Sequence, residues 1–379
     1  MEWRSVHPFC LLTKSQMSEK NIAIRVDASQ EIGTGHFMRC LTLADGLKQR
    51  GAKVYFVSRY LPAHLVRLLE TNGHRLLKLA DDGGEASDGD LPHAHWLGTS
   101  QELDAEECIG LLSGQSWDWL VVDHYALDVV WETNLRRMAN KILVIDDLAD
   151  RQHDAQILLD QNLYPDMGQR YVGLVSNRCR ALLGPNFALL RREFVEARAA
   201  TSSRNSEVRK VFVFFGGSDL TNETEKALAS IAALSKQDFS VDVVVGAGNS
   251  RYEVIKDICM SMRGIRLHCQ IDNMAQLMSE ADLSLGAGGS TTWERCALGL
   301  PALVLSVADN QIAIADGVDK AGAQRHLGLS KNVSVTQLTA AIEEIVSLPK
   351  FLVEMSRSAA ALVDAEGCKR VINAMEEFL

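Results

Sequence analysis

The chain has 379 residues, with 39 Lys+Arg against 49 Asp+Glu and a formal net charge of −10 with its histidines neutral. At 47% hydrophobic and 23% charged residues the composition is ordinary globular, which excludes a disordered chain, a collagen-like fibre and a disulfide miniprotein. The acidic balance argues against a dedicated nucleic-acid binder. Any anionic ligand must then be met by local amides and a few basic side chains against the overall field.

The eight cysteines are scattered and form no C-x-x-C pair. They read as incidental thiols of a reducing cytosol rather than a zinc or redox motif. Residues 1–20 read as a tail or an over-long start, because the apolar stretch Phe9–Leu12 is too short for a signal-peptide core. No run approaches the roughly 18 apolar residues of a membrane span. The expectation is a cytoplasmic protein without a membrane or nucleic-acid partner. The oligomeric state stays open, and a monomer suffices.

Short apolar runs alternate with longer amphipathic segments, the pattern of βα units on mainly parallel sheets. In chain order, a strand at Ile22–Val26 leads through a glycine turn into a helix from about His36 to Arg50, ended by Gly51. A strand at Lys53–Ser58 follows, then a helix from about Pro62 that closes at Asn72-Gly73. Asp81–Gly89 reads as an acidic loop, and Trp119–Val122 and Ile142–Ile145 as buried strands. Residues 197–209 show no periodic apolar face and read as a linker. The pattern then restarts with a strand at Val211–Phe215, a GGSD turn and a helix from about Thr224. Strands at Val241–Val245, Ile265–Cys269, Leu283–Leu285 and Ala302–Leu305 follow, with a last helix to about residue 378. The fold class is α/β: two Rossmann-like domains, residues 21–200 and 208–365, with the ligand cleft between them. The terminal helix, residues 366–379, is free to pack back on the first domain.

Chemistry concentrates at strand ends. After the first strand, Arg25-Val-Asp27 leads to Gly33-Thr-Gly35-His36 and Arg39, without the full G-x-G-x-x-G spacing. A histidine at a helix N-terminus is disfavoured as imidazolium, so His36 reads either as a neutral base or as a turn histidine. Gly286-Ala-Gly288-Gly289-Ser290-Thr291-Thr292-Trp-Glu294 offers close backbone approach and hydroxyls for phosphate oxygens. A simple helix cap explains its Glu but not its three glycines. Gly216-Gly217-Ser218-Asp219 repeats the logic, and facing the first loop it makes a diphosphate cradle. Asp123-His124-Tyr125 lies where open sheets place ligands. Asp146-Asp147 reads as a strand-end cap, His93 and His95 as surface histidines, and Asn310-Gln311 as sugar contacts or a helix cap. No metal site is indicated.

Together these residues form a signature. Arg25-Val-Asp27-Ala-Ser29, Ile32-Gly-Thr-Gly35-His36 and Arg39-Cys-Leu-Thr-Leu-Ala44 resemble the opening motif of the UDP-sugar hydrolases of pseudaminic acid biosynthesis. The resemblance continues through Val122–Tyr125, Ile145–Asp147, Asp160–Asn162, Phe215–Asp219, Gly288–Glu294 and Asn310-Gln311, spanning roughly residues 21–345. That family is similar in fold to the lipid II-forming N-acetylglucosaminyltransferase, a GT-B protein with UDP in its C-terminal domain. The resemblance implies inverting hydrolysis of UDP-2,4-diacetamido-2,4,6-trideoxy-β-L-altropyranose, giving UDP and free sugar without a cofactor or metal. It further implies that His36 activates water, that Asp27 orients His36 or touches the sugar, and that Glu294 holds the ribose. Gly217, Ser218, Gly288, Gly289, Ser290 and Thr291 would hold the diphosphate, and Asn310 and Gln311 would contact sugar or diphosphate. Gly33, Gly35, Arg39, His124 and Tyr125 complete the expected substrate-binding set. The alternatives are a glycosyltransferase of the same fold and a non-catalytic nucleotide-sugar sensor. A transferase with a lipid-linked acceptor would be expected to carry an apolar or basic docking patch on the first domain, and the sequence shows none.

Overall fold

The computed structural model describes residues 16–81, 91–139, 141–200, 204, 207–236 and 238–379. Residues 1–15 of the expected tail and most of the expected acidic loop lie outside these residues.

Two parallel sheets organise the chain. The first takes β1 (Asn21–Val26), β2 (Lys53–Ser58), β3 (Arg75–Lys78), β4 (Trp119–Asp123), β5 (Ile142–Ile145), β6 (Ile157–Asp160) and β7 (Arg180–Leu183), in the order β3-β2-β1-β4-β5-β6-β7. The second takes β8 (Lys210–Phe214), β9 (Ser240–Val245), β10 (Ile265–Cys269), β11 (Leu283–Ala287), β12 (Ala302–Ser306) and β13 (Arg325–Leu329), in the order β10-β9-β8-β11-β12-β13. Strands such as β1, β4 and β11 are apolar almost throughout because both faces of a parallel sheet are covered by helices.

The helices are α1 (Gly35–Gln49), α2 (Ala63–Thr71), α3 (Gln101–Leu112), α4 (Val129–Leu135), α5 (Arg192–Ala200), α6 (Glu223–Ala232) and α7 (Tyr252–Ser261). They continue with α8 (Met274–Glu280), α9 (Thr291–Ala297), α10 (Ile312–Lys320), α11 (Val335–Val346), α12 (Pro349–Leu362) and α13 (Gly367–Glu376). Helix α1 buries Phe37, Leu43 and Leu47, and it stops where Gly51 takes φ +91°. That left-handed conformation suits glycine just past a helix end.

One boundary differs from the sequence reading. Helix α5 occupies residues expected to begin the linker and to close the first domain, yet it packs on α8 and α9, with Phe194 buried among second-sheet residues. The chain therefore crosses between domains before Arg192. Helix α13 returns to the first domain, where Val371, Ile372 and Met375 share a core with Phe37 and Leu47. Its fit on α1 is close: a Cβ on Gly46 would lie 2.7 Å from Ile372 Cδ1.

Both sheets reverse strand order at one point, between β1 and β4 and between β8 and β11. The carboxyl ends at such a point leave a crevice, because the loops on either side run in opposite directions.

Candidate functional site

A cleft of about 590 Å³ is lined from both domains by the loops at and beside these two reversal points. On the first-domain side it meets Gly33, Gly35, His36, Arg39, Tyr125 and Asp147. On the second-domain side it meets Gly217, Ser218, Gly288, Gly289, Ser290, Thr291, Glu294, Asn310 and Gln311. The opposing loops come close: a Cβ on Gly35 would stand 3.7 Å from Ser290 Oγ.

His36 sits in the first turn of α1, and its Nδ1–H donates to Asp123 Oδ1 at 2.6 Å. Arg39, one turn later, donates to both Asp123 oxygens at 2.6 and 2.7 Å and to Asp147 Oδ2 at 2.6 Å. Asp147 also accepts from Tyr125 Oη and Asn162 Nδ2, each at 2.7 Å. Burial works to raise the Asp123 carboxyl, but Arg39 and then His36 hold it well below the usual carboxylate range. Burial and then Asp147 push the Tyr125 phenol far up, so it stays a donor. The result is an anionic Asp123 that fixes the ring and its tautomer, as a carboxylate behind a catalytic imidazole does. The Tyr125 ring meets the imidazole edge-on with centroids 4.5 Å apart. Nε2 makes no protein hydrogen bond among the described residues, and the side chain lines the cleft.

Two expected site residues lie elsewhere. Asp27 is fully buried and does not reach the cleft. It accepts from the Arg59 and Tyr60 amides at 2.7 and 3.1 Å and pairs with Arg25 at 2.8 Å, so it shapes the β2–α2 loop. His124 turns away from the cleft, its Nε2 lying 3.3 Å from Asp27 Oδ2. The orienting role expected of Asp27 therefore falls to Asp123. Arg39 lines the cleft, but its donors are taken by Asp123 and Asp147, which makes it a brace for His36 rather than a free ligand. Of the neighbouring acids, Asp146 caps the turn at Ala149, while Asp147 is the hub just described. His95 pairs with Glu31 and His93 packs on Trp96. Among the described residues no cluster of His, Cys, Asp or Glu is arranged to hold a metal ion.

The second-domain loops are built differently. Gly217 and Gly289 have nothing but Gln311 Nε2, at 3.8 Å from Gly289, near the position of a Cβ, so their backbones are open to the cleft. Gln311 Oε1 accepts from the Val307 amide at 3.1 Å and fixes the loop that carries Asn310. Arg191, from the domain crossing, donates to Glu294 Oε1 from Nε and Nη2 at 3.2 and 2.9 Å. The domains also join beside the cleft, where the Trp293 indole donates to Asn162 Oδ1 at 3.3 Å. Sequence reasoning placed Asp123 at a ligand-facing strand end without its role behind His36 and took Asp147 for a strand-end cap; it missed Arg191 and the wall formed by Val244–Gly248, Gln270 and Ile271.

Residues 211–371 match the Glycosyltransferase family 28 C-terminal domain. An uncharacterized protein of Methanocaldococcus jannaschii is 26% identical, over 81% of this chain and 60% of its own length, so the chain spans less than two thirds of that relative. The spore coat polysaccharide biosynthesis protein SpsG of Bacillus subtilis is 24% identical over 94% of this chain and 98% of its own. A UDP-2,4-diacetamido-2,4,6-trideoxy-β-L-altropyranose hydrolase of Campylobacter jejuni is 24% identical over 79% of this chain and 97% of its own. Among solved structures, MurG of Acinetobacter baumannii superposes with a TM-score of 0.62 at 15% identity, covering 94% of this chain and 99% of its own. The resemblance read from the motifs is thus matched by a relative that bears the hydrolase name, and the chain is a two-domain protein of the GT-B fold whose second half matches the family 28 C-terminal domain.

Proposed function

We propose that this chain is a nucleotide-sugar enzyme, and specifically a hydrolase of a UDP-linked 2,4-diacetamido-2,4,6-trideoxy hexose, acting at the anomeric carbon with inversion. The observation that carries this reading is His36: an imidazole lining the cleft, locked by Asp123 through Nδ1, with Nε2 making no hydrogen bond among the described residues, in the same cleft that the glycine loops line. The name of the Campylobacter relative supports the choice of substrate.

In this reading the diphosphate lies against the open backbone at Gly217-Ser218 and Gly288–Thr291, the uridine ribose near Glu294, and the base along Val244–Gly248 and Gln270. The sugar faces His36, with Asn310 and Gln311 on its far side. Water attacks the anomeric carbon as His36 Nε2 takes its proton, and the bond from that carbon to the UDP oxygen breaks with its electron pair. UDP is a good leaving group once its charge is met, so one base is enough, and attack opposite the leaving group inverts the centre.

The test is a reaction in ¹⁸O-water without acceptor, followed by mass spectrometry and by NMR of the first-formed anomer. The reading predicts label in the sugar, none in UDP, and an inverted anomer. Label in UDP would place the cleavage at phosphorus. Absence of reaction until an acceptor is supplied would make the chain a transferase, the activity named for MurG-type relatives.

A further inference from the structure

The cleft poses an electrostatic question. A diphosphate brings negative charge to a protein whose formal net charge is already −10. The guanidinium groups that line the cleft are both engaged: Arg39 with Asp123 and Asp147, Arg191 with Glu294 and Glu193.

Arg295 is the exception, and it lies just below the surface. It is 2% exposed, on α9 immediately after Glu294, and its neighbour turns its own carboxylate onto Arg191. Nη2 donates to Ala287 O and to Thr292 Oγ1, both at 3.0 Å. Among the described residues Nη1 and Nε have no hydrogen-bond partner, and no carboxylate there forms an ion pair with Arg295. Nη1 fills the place of a missing side chain: a Cβ on Gly286 would lie 2.9 Å from it and 2.8 Å from Phe214 O. Gly286 and Phe214 are paired across β11 and β8, so the guanidinium sits where the second sheet reverses order, at the root of both glycine loops. Burial drags this group down to about 10, against the smaller opposing pull of Cys296 and Glu294. An uncompensated buried charge is costly, and proteins retain one where something answers it.

We propose that Arg295 is the buried counter-charge of the diphosphate, a guanidinium fixed under the β11–α9 loop whose field favours an anion at Gly217-Ser218 and Gly288–Thr291. This deepens the UDP-sugar reading and rests on it. Arg295 does not touch the ligand; it acts through the loop and across a short, poorly screened distance. In such surroundings a unit charge is worth far more than in water.

The discriminating experiment compares UDP with uridine, which shares the base and ribose but lacks the charge, by calorimetric titration of the full chain. Arg295→Met should weaken UDP on the order of tenfold or more while leaving uridine within about twofold. Arg295→Lys keeps the charge and should recover most of the UDP affinity. Arg295→Gln keeps amide donors for Ala287 O and Thr292 without the charge, so it should bind UDP as weakly as the Met variant. It also serves if Arg295→Met fails to fold. Equal losses of UDP and uridine, or full UDP affinity in Arg295→Gln, would mean that Arg295 only braces the loop and would overturn the proposal. If the wild type binds neither compound, the UDP reading itself falls and takes this inference with it. If it binds UDP but shows no preference over uridine, only the counter-charge fails.

Discussion

The two halves share one topology and put opposite chemistry at the same place. At and beside the reversal point of the first sheet, the ends of β4 and β5 carry Asp123 and Asp147, and both charges are answered: Asp123 by His36 and Arg39, Asp147 by Arg39, Tyr125 and Asn162. At the reversal point of the second, the loops carry glycines and hydroxyls with open backbone, over a guanidinium that lacks a carboxylate. A saturated network is rigid and serves to aim one group, here the His36 ring. An unsaturated loop is ready to take a ligand. The fold alone distinguishes neither role; the few residues after each strand do.

The sharpest way to break this contrast is His36→Ala. Loss of a general base should lower kcat by about 10²–10⁴-fold, with UDP affinity, measured by titration, unchanged. A comparable loss of UDP binding would show that the first-domain loop binds nucleotide after all. On the other side, Gly217→Ala and Gly289→Ala place a methyl in open cleft space. Each should weaken UDP about tenfold, or about 1.4 kcal/mol, with no change in Tm.

Gly246→Ala sharpens the same point, because its Cβ would lie 2.5 Å from the Gly217 carbonyl oxygen. Backbone there has to shift, so urea titration should show a loss of about 1–3 kcal/mol in stability. Equal stability in Gly217→Ala and Gly246→Ala would contradict the packing described.

The smallest effect tests the claim that the first-domain network is crowded with charge. Burial, then the Asp147 charge, raises the Asp160 carboxyl to about 7. The folded protein then keeps a proton that the unfolded chain releases above its ordinary carboxylate range. This site therefore costs stability progressively as pH rises from about 4 to 7. Asp160→Asn removes that slope, so its denaturation midpoint should gain on the wild type between about pH 5 and pH 8. A constant offset would mean that Asp160 is ionised throughout.

The alternation of apolar runs and amphipathic segments made the two-sheet fold legible, and glycines after strands marked three of the cleft loops. What sequence order hid were the partners. His36 and Asp123 are 87 positions apart, and Arg39 and Asp147 are 108 apart, joined only because parallel strands bring their ends together. The placing of His124 and Asp27 in the site could not see which way the chain turns past the strand ends. Just beyond β4, Tyr125 lines the cleft while His124 packs into the buried layer where Arg25 and Asp27 lie. Helix α5 eluded the reading because its apolar content is slight, and Phe194 is its one fully buried anchor.

The central claim is that a base on one domain hydrolyses a sugar held by its nucleotide on the other. The direct measurement is UDP release from UDP-2,4-diacetamido-2,4,6-trideoxy-β-L-altropyranose, without acceptor and with EDTA present, for wild type and His36→Ala, with UDP-GlcNAc as the comparison substrate. The account predicts rapid release from the first substrate only, collapsing in the variant while UDP binding persists. Release that survives in His36→Ala, or that begins only when an acceptor is added, would contradict it.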